Sequence, residues 1–277
     1  MNESFKKITK PYEFWLYILA LVPVLIMFIL MFFNTEGVSF DEAVFTFSNF
    51  GYLGEVSTLE ALSNSFKYAV LTTLITVVLG YIIAYKIFRS RLTNKFIILT
   101  ILILPMWSNL LLRTEALGNI MEPNNILSDL LGRIGIDIVI NLKGKPVGVL
   151  VGLVITYLPF MILPIYTALE KIDFSLEEAA LDLGATEIQK FWKVVFPLSL
   201  KGIITGSILV FLPSLSGFAI PEILGKSNIP TIGYLIEQAF KNMRYYEGSI
   251  YAIIILVIIF AALMIINKVD KEGEILL

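Results

Sequence analysis

The sequence predicts an all-α membrane protein with six transmembrane helices, and three observations support this fold class. The chain of 277 residues is 57% hydrophobic with a mean hydropathy of +0.83, which is more apolar than a soluble globule of this size. Six apolar runs approach the ~20 residues that a helix needs to cross a hydrocarbon core of about 30 Å. Lys and Arg are concentrated in alternate connections between these runs.

The six predicted spans are separated by polar connections. They cover residues 14–33, 66–88, 96–112, 147–169, 202–221 and 249–267. Pro105 breaks the third predicted span, and Pro159 and Pro164 lie inside the fourth, where kinks are expected. A cleaved signal peptide is the alternative for the first run. Its apolar stretch would be shorter and would end in a small-x-small site, whereas here Met31–Phe33 leads into Asn34.

The basic residues predict that both termini are cytoplasmic. The N-terminal segment, the second connection, the fourth connection and the tail are rich in them for their length: Lys6, Lys7, Lys10; Lys86, Arg89, Arg91, Lys95; Lys171, Lys190, Lys193, Lys201; Lys268, Lys271. By the positive-inside rule these four segments face the cytoplasm. The expected divisions are a cytoplasmic segment 1–13, a first helix with an external loop 14–59, a membrane core 60–267 and a cytoplasmic tail 268–277.

Composition excludes several classes of function. The chain has no cysteine and no histidine, which removes thiolate chemistry, the usual zinc ligands and the commonest general base, so neither an enzyme nor a metal site is expected. The net charge of −2 provides no basic field for nucleic acid. No Walker-type phosphate loop is present, so the chain itself should not bind ATP. The middle of every predicted span lacks charge, which argues against an ion-coupled secondary transporter.

The stretch Ser175–Pro197, SLEEAALDLGATEIQKFWKVVFP, is charged and helix-prone, yet it lies between two long apolar runs. Ser175 with Glu178, and Thr186 with Gln189, have the spacing of capping boxes. Each box predicts a helix start, so two short helices are expected in the fourth connection.

Both of these helices are predicted to be amphipathic. Gly184 is placed to end the first in a left-handed conformation, and Pro197 lies beyond the second. Apolar residues recur at helical spacing in each helix: Leu176, Ala179, Ala180 and Leu183, then Ile188, Phe191, Trp192 and Val195. Because alanine dominates the first stripe, close approach of another surface is expected. An ordinary cytoplasmic hairpin is the alternative.

The residues of this stretch form a motif that resembles that of a known family. Glu178-Ala179-Ala180, three residues, Gly184, nine residues and Val194-x-Phe196-Pro197 resemble the EAA loop of ATP-binding-cassette (ABC) importer permeases, E-A-A, three, G, nine, I-x-L-P. The start of their type I transmembrane domain is similar to Ala61–Ser65 and Gly80–Tyr85, and spermidine/putrescine permeases are similar at Leu112–Thr114, Tyr157–Tyr166, Leu169–Asp173, Ile232-Gly233 and Gln238–Phe240. Two aromatics of their R-T-Y-A-W pattern are replaced by Glu115 and Leu117.

The resemblance implies a multi-pass subunit of the bacterial cytoplasmic membrane with a type I permease core at 60–267 and a coupling loop at 170–201. Its partners would be two copies of an ATPase, which hold ATP and Mg²⁺, a second permease and an external polyamine-binding protein. This chain itself would bind no cofactor. The implied ATPase-coupling residues are Glu177, Glu178, Ala179, Ala180, Asp182, Gly184, Ala185, Phe191 and Pro197. Glu177, Glu178 and Asp182 are expected to offer carboxylates to the ATPase, although Glu178 is assigned first to capping its own helix.

A flexible polycation would need carboxylates or carbonyls and aromatic faces along its path. The candidates are Trp107, Ser108, Asn109, Glu115, Thr156, Tyr157, Ser214, Ser216 and Glu222. Solvated charge at headgroup level is the alternative for Glu115 and Glu222, and packing or an interface position is the alternative for Trp107 and Tyr157. An iron, opine-like or oxyanion substrate stays open, as does a structural scaffold.

Overall fold

The computed structural model describes residues 3–34, 43–91, 94–123, 125–134, 140–226 and 228–269. The acidic part of the predicted external loop, 35–42, and residues 270–277 of the predicted tail lie outside the described residues. The helices are α1 Glu3–Leu30, α2 Val56–Arg89, α3 Lys95–Ile103, α4 Leu110–Ile120, α5 Ile126–Arg133, α6 Pro146–Glu170, α7 Phe174–Asp182, α8 Glu187–Lys190, α9 Phe196–Ser216, α10 Ala219–Gly225, α11 Ile232–Lys241 and α12 Tyr245–Val269. Short 3-10 turns cover Ser48–Gly54 and Leu104–Trp107. Two short strands, β1 Phe33–Asn34 and β2 Val44–Phe45, pair antiparallel.

The all-α class is confirmed. Within the described ranges, five helical segments are long and apolar enough to cross a membrane, and a sixth is obtained if α3 and α4 form one bent span. The bent pair corresponds to the third predicted span. Its bend of 95° lies beyond Pro105. Asn109 accepts hydrogen bonds from the N–H groups of Leu111, at 2.8 Å, and Leu112. Because this cap starts α4 in a new direction, the third span is broken, as the sequence predicts.

The fifth predicted span, 202–221, has the wrong limits. Its helix is continuous from Glu187 to Ser216, and Pro221 lies in the separate helix α10. Gly217 has an extended backbone, with φ −68° and ψ 141°, and its N–H donates to the carbonyl of Pro213 at 2.9 Å. Helical geometry therefore ends at Gly217.

The main core lies where α2, α6 and α9 pack against one another. Gly202 and Gly206 of α9 face α6 so closely that a Cβ would lie 2.5 Å from the carbonyl oxygen of Pro164 and 2.7 Å from the Sδ atom of Met161. The small-xxx-small spacing of Gly202 and Gly206 therefore marks a tight helix contact. A second cluster joins α11 and α12, and α1 lies along α12.

Candidate functional site

The hairpin, defined as residues 173–197, begins with a cap that differs from the prediction. Asp173 caps α7, because its carboxylate accepts a hydrogen bond from the N–H of Ser175 at 2.9 Å. This bond holds the pKa of Asp173 below its ordinary value. The predicted capping box of Ser175 and Glu178 is therefore wrong, since α7 starts at Phe174 and Asp173 is already the flanking residue.

The second capping box is confirmed. Thr186 Oγ1 accepts from the N–H of Gln189 at 3.3 Å, and the Gln189 side chain accepts from the N–H of Thr186 at 2.9 Å. Gly184 has φ +84°, and no atom lies within 4 Å of where its Cβ would be. This glycine therefore supplies the left-handed turn between α7 and α8, with open space beside it.

Pro197 does not end the second helix. Residues Phe191–Val195 form a π-helical turn in which the N–H of Phe196 donates to the carbonyl of Phe191, and α9 continues directly through Pro197. Proline has no N–H to donate, and a wider turn just before it accommodates the lost bond. The hairpin is therefore continuous with a membrane span.

An ion cluster fixes the inner side of the hairpin. The Glu177 side chain is only 4% exposed, and its carboxylate accepts a hydrogen bond from the Arg89 guanidinium at the end of α2. Lys190 Nζ lies 3.5 Å from the same carboxylate and 2.7 Å from Glu187. Glu177 therefore neutralises basic groups of its own chain. This corrects the expectation that its carboxylate faces the ATPase.

Aromatic rings strengthen the same contact. Phe88 of α2 stacks on Phe174 of α7 with ring centroids 5.7 Å apart. Phe191 packs edge-on against Tyr85 and Tyr81 of α2, at 5.2 and 5.8 Å. The π-helical turn starts at Phe191, so the predicted stripe divides: Phe191 and Val195 face the chain, whereas Ile188 and Trp192 do not.

The opposite side of the hairpin is apolar and exposed. Leu183 is 89% exposed and Ile188 is 71% exposed, and Leu176 and Trp192 also face outward. Of the remaining predicted coupling residues, Glu178, Ala179, Asp182, Gly184 and Pro197 are exposed, and Ala180 and Ala185 are half-exposed. The hairpin thus presents an uncovered face with apolar side chains and the exposed acids Glu178 and Asp182, while Glu177 and Lys190 are paired inside.

Two cavities flank the break between α9 and α10, at the end of α9 away from the hairpin. The α11 cavity has a volume of about 320 Å³ and is lined by Ser216, Phe218, Gly233, Ile236, Glu237, Phe240 and Lys241. The α6 cleft has a volume of about 160 Å³ and is lined by Leu110, Leu111, Leu153, Tyr157 and Gly217–Pro221. Phe218 lines both spaces.

The α11 cavity combines carboxylate and aromatic groups. The Lys241 ammonium pairs with Glu237 and lies 3.3 Å from Glu222. These hydrogen bonds, Glu237 first and then Glu222, raise the pKa of Lys241 above its ordinary value. The second carboxylate oxygen of Glu237, Oε2, is buried, and it has no hydrogen-bond partner among the residues that the structure describes. Phe218 and Phe240 complete a surface that suits a cation.

The predicted substrate-path residues fall into two groups. Ser216, Tyr157 and Glu222 lie in or beside the two cavities, and Ser214 and Thr156 are buried on the adjoining helices α9 and α6. The others lie at the α3–α4 bend or on α4.

In that second group, Trp107 is exposed, and Ser108 Oγ donates to the carbonyl of Pro105 at 2.7 Å. Asn109 caps α4, and Glu115 lies 3.8 Å from Lys143. Capping and ion pairing therefore occupy most of these polar groups.

Sequence reasoning missed four charged residues: Arg89 and Lys190 of the ion cluster, and Glu237 and Lys241 of the α11 cavity. In the sequence, Arg89 and Lys190 stand out only as basic residues of connecting loops. Glu237 and Lys241 are four residues apart on α11, and this spacing is the available signal for their pairing.

Comparison with known proteins agrees with this architecture. Residues 2–269 match the family described as binding-protein-dependent transport system inner membrane component. The spermidine/putrescine transport system permease protein PotB of Escherichia coli K12 is 34% identical over 255 residues, covering 91% of this chain and 92% of that protein. PotB of Haemophilus influenzae is 32% identical over 274 residues, covering 98% and 96%.

More distant relatives share the same architecture. A probable sulfate transport system permease protein of Marchantia polymorpha is 30% identical over 220 residues, covering 78% of this chain and 75% of that protein. A chain of a bacterial ABC transporter involved in the import of the acidic polysaccharide alginate superposes with a TM-score of 0.78 at 17% identity, covering 98% of this chain and 96% of that chain. That structure supports the fold alone.

The match over nearly the whole length identifies this chain as a member of the binding-protein-dependent inner membrane components, the permease subunits of ABC importers.

Proposed function

We propose that this permease subunit imports polyamines of the spermidine/putrescine class and is driven by an ATPase that docks on the hairpin. The observation that carries the coupling role is the division of the hairpin into two sides. Glu177 and Lys190 of the hairpin are buried and paired with each other, and Glu177 also pairs with Arg89 of α2, whereas Leu183 and Ile188 are exposed at a turn outside the spans. Exposed apolar side chains on a rigid support are typical of a protein interface.

The proposed complex contains two ATPase copies, which hold ATP and Mg²⁺, a second related permease and an external polyamine-binding protein. It lies in the bacterial cytoplasmic membrane, with the hairpin and both termini on the cytoplasmic side. Closure of the ATPase pair would move the hairpin as a rigid body, and α6 and α9, which continue from its two ends, would move with it.

The coupling role is tested at Gly184, where the turn requires a left-handed backbone and the space beside it is empty. Gly184→Asn keeps this conformation accessible, while Gly184→Trp adds a large group at the proposed interface. In proteoliposomes containing the complete transporter, we expect Gly184→Trp to abolish ATP-driven uptake at normal membrane insertion and Gly184→Asn to retain most of it. Normal uptake in Gly184→Trp, or uptake by the unmodified transporter without nucleotide, would refute the coupling role.

The polyamine assignment is supported by full-length similarity to PotB proteins, by the Glu237 carboxylate and the aromatic rings of the α11 cavity, and by the Glu222 carboxylate beside it. We propose that Glu237 and Glu222, now neutralised by Lys241, receive ammonium groups of the substrate. The buried oxygen of Glu237 has an unused acceptor site for this purpose. An oxyanion would be repelled by these carboxylates.

Charge-neutral substitutions test the substrate. We expect Glu237→Gln and Glu222→Gln each to lower spermidine uptake about tenfold, equivalent to ~1.4 kcal/mol, and Glu115→Gln to lower it less, because Glu115 lies near Lys143. Glu60→Gln, at an exposed acid on the first turns of α2, is the matched control. Uptake of sulfate but not spermidine by the unmodified transporter would replace the polyamine assignment with an oxyanion.

A further inference from the structure

We propose that α2 connects the hairpin mechanically to the α11 cavity, and that Arg89, at its C-terminal end, and Ser65, in its N-terminal third, are the positioning residues that attach it. The inference rests on the proposed coupling role of the hairpin. The hairpin is joined covalently to α6 and α9, and α2 meets it through side chains. Along the chain, the hairpin reaches α11 only through α9, the break at Gly217 and α10, so a connection along α2 is a second route without such a break.

The first attachment is at the C-terminal end of α2. The Arg89 guanidinium donates to the buried Glu177 carboxylate, and its Nε donates to the Tyr85 hydroxyl at 3.2 Å. The same guanidinium lies over the ring of Phe88, 5.2 Å from its centroid, and Phe88 stacks on Phe174 of α7. Charge and aromatic contacts together hold the end of α2 to α7, so displacement of the hairpin should carry α2 with it.

The second attachment uses the Ala61–Ser65 segment, which the coupling function left unexplained. Ser65 Oγ accepts a hydrogen bond from the N–H of Ile232 at 2.9 Å, and Asn64 Nδ2 donates to the carbonyl of Pro230 at 3.0 Å. The N–H of Ile232 belongs to the first turn of α11, where no partner exists within the helix. Because Ser65 is 1% exposed, no solvent can replace its oxygen, and the start of α11 is tied to α2.

The helix between the two attachments is continuous. The whole of α2 contains 34 residues, which span about 51 Å at 1.5 Å per residue. It has no internal proline. Arg89 and Ser65 are separated by about 36 Å along its axis. From Ile232 onward, α11 supplies Gly233, Ile236 and Glu237 to the cavity wall. An unbroken helix that is attached at both of these residues can transfer a rigid-body displacement from one attachment to the other.

A double-mutant cycle along α2 tests the connection in the complete reconstituted transporter. Arg89→Gln, Ser65→Ala and the double variant are compared for ATP-driven spermidine uptake, basal ATP hydrolysis and the amount of assembled complex. Lys86→Gln removes an exposed cation from the last turns of α2, and Ser63→Ala removes a hydroxyl near Ser65. These two variants are the matched controls.

We expect each single variant to lower uptake about tenfold at normal assembly and basal hydrolysis, and the double variant to lower it no further, because either change removes one of the two attachments that the same route needs. Independent local effects at sites this far apart would instead multiply to about a hundredfold. That multiplication, or wild-type uptake in either single variant, would overturn the proposal. If Arg89→Gln does not assemble, Arg89→Lys, which keeps a cation beside Glu177, replaces it in the cycle. Multiplied effects or wild-type uptake in that variant would overturn the proposal in the same way.

A labelling measurement separates positioning from simple stability. The chain has no cysteine of its own, so Ile236→Cys places a single thiol in the wall of the α11 cavity. ATP is expected to change the labelling rate of this thiol in the otherwise unmodified transporter and to have no effect in the Arg89→Gln background. An ATP-dependent change that persists in that background would exclude α2 as the connection.

Failure of the proposed coupling role and failure of the proposed α2 connection would give different experimental results. Loss of the coupling role would appear as normal uptake in Gly184→Trp. Failure of the α2 connection would leave that variant inactive, while the Arg89 and Ser65 effects multiply or the thiol still responds to ATP.

Discussion

The ion pairs of the hairpin and those at the α11 cavity differ in their exposure to solvent. In the hairpin, the Glu177 side chain is 4% exposed and two cations of the same chain neutralise it, so this charge is used internally, and the outer surface carries exposed apolar side chains such as Leu183. At the α11 cavity, Glu222 and Glu237 remain partly accessible, and a lysine side chain that is 56% exposed neutralises both. Buried pairs define a geometry, whereas accessible pairs can exchange one cation for another.

The largest expected effect is at the buried acid. Glu177→Ala leaves Arg89 and Lys190 without their shared carboxylate, and loss of one partner from a buried ion pair costs about 3 kcal/mol or more. Glu178→Ala, at the neighbouring exposed acid, should change stability by less than about 0.5 kcal/mol. Equilibrium unfolding of the isolated subunit in mixed micelles measures both. Equal effects of the two substitutions would contradict the inward role of Glu177.

The next effect is at the exposed face of the hairpin. Leu183→Asp should leave the isolated subunit as stable as the wild type, because Leu183 is 89% exposed, but it should weaken ATPase binding about thirtyfold, equivalent to ~2 kcal/mol at a central interface position. Leu130→Asp, at an exposed leucine of α5, is the control that should not alter binding. Co-purification of a titrated ATPase gives the affinities. Wild-type binding by Leu183→Asp would place the ATPase elsewhere.

The smallest effects concern pH, and they have opposite signs in the two regions. The pKa of Asp173 is lowered from 3.8 in the folded chain, so the stability that this cap contributes is present above the unfolded pKa and is lost as the pH falls through the folded pKa. Asp173→Asn retains a capping oxygen without a titrating group. The midpoint of thermal unfolding should therefore fall less steeply in acid for this variant than for the wild type, and identical acid profiles would contradict the assignment.

At the α11 cavity, the pKa of Lys241 is raised from 10.5. Its contribution is therefore fully present below the unfolded pKa and is lost as the pH rises through the folded pKa. Lys241→Gln should reduce the loss of stability in alkali, as measured by the same thermal unfolding series. A variant that still loses stability in alkali to the wild-type extent would show that Lys241 does not hold Glu222 and Glu237 together.

Local chemistry explains which parts of the hairpin could be predicted. The Thr186–Gln189 box and the left-handed Gly184 depend on residues within one turn of each other, and both are confirmed. The Ser175–Glu178 box has the same spacing, but Asp173, two residues earlier, caps α7 instead. Proline at position 197 predicts a helix end, yet the preceding π-helical turn lets the helix continue. Where either of two residues can cap a helix, or a helix can either end or continue at a proline, residue spacing alone does not predict which of the two occurs.

Long-range pairing explains what could not be predicted. Arg89 and Glu177 are 88 positions apart, and Ser65 and Ile232 are 167 apart. No periodicity within either segment identifies these partners. The α11 cavity likewise depends on the break at Gly217, which places Phe218 between two separate spaces.

By itself, the sequence determined that the chain is a multi-span helical membrane protein, where its apolar helices lie, and that a two-helix hairpin interrupts them. These features follow from runs of apolar side chains and from caps, whose free energies are local to each segment. Only the tertiary structure decided that Glu177 faces inward, that α3 and α4 bend apart, and that α2 reaches from the hairpin to α11. These features depend on which buried polar groups find partners once the helices pack, and in a dry interior that choice is made by distance rather than by order along the chain.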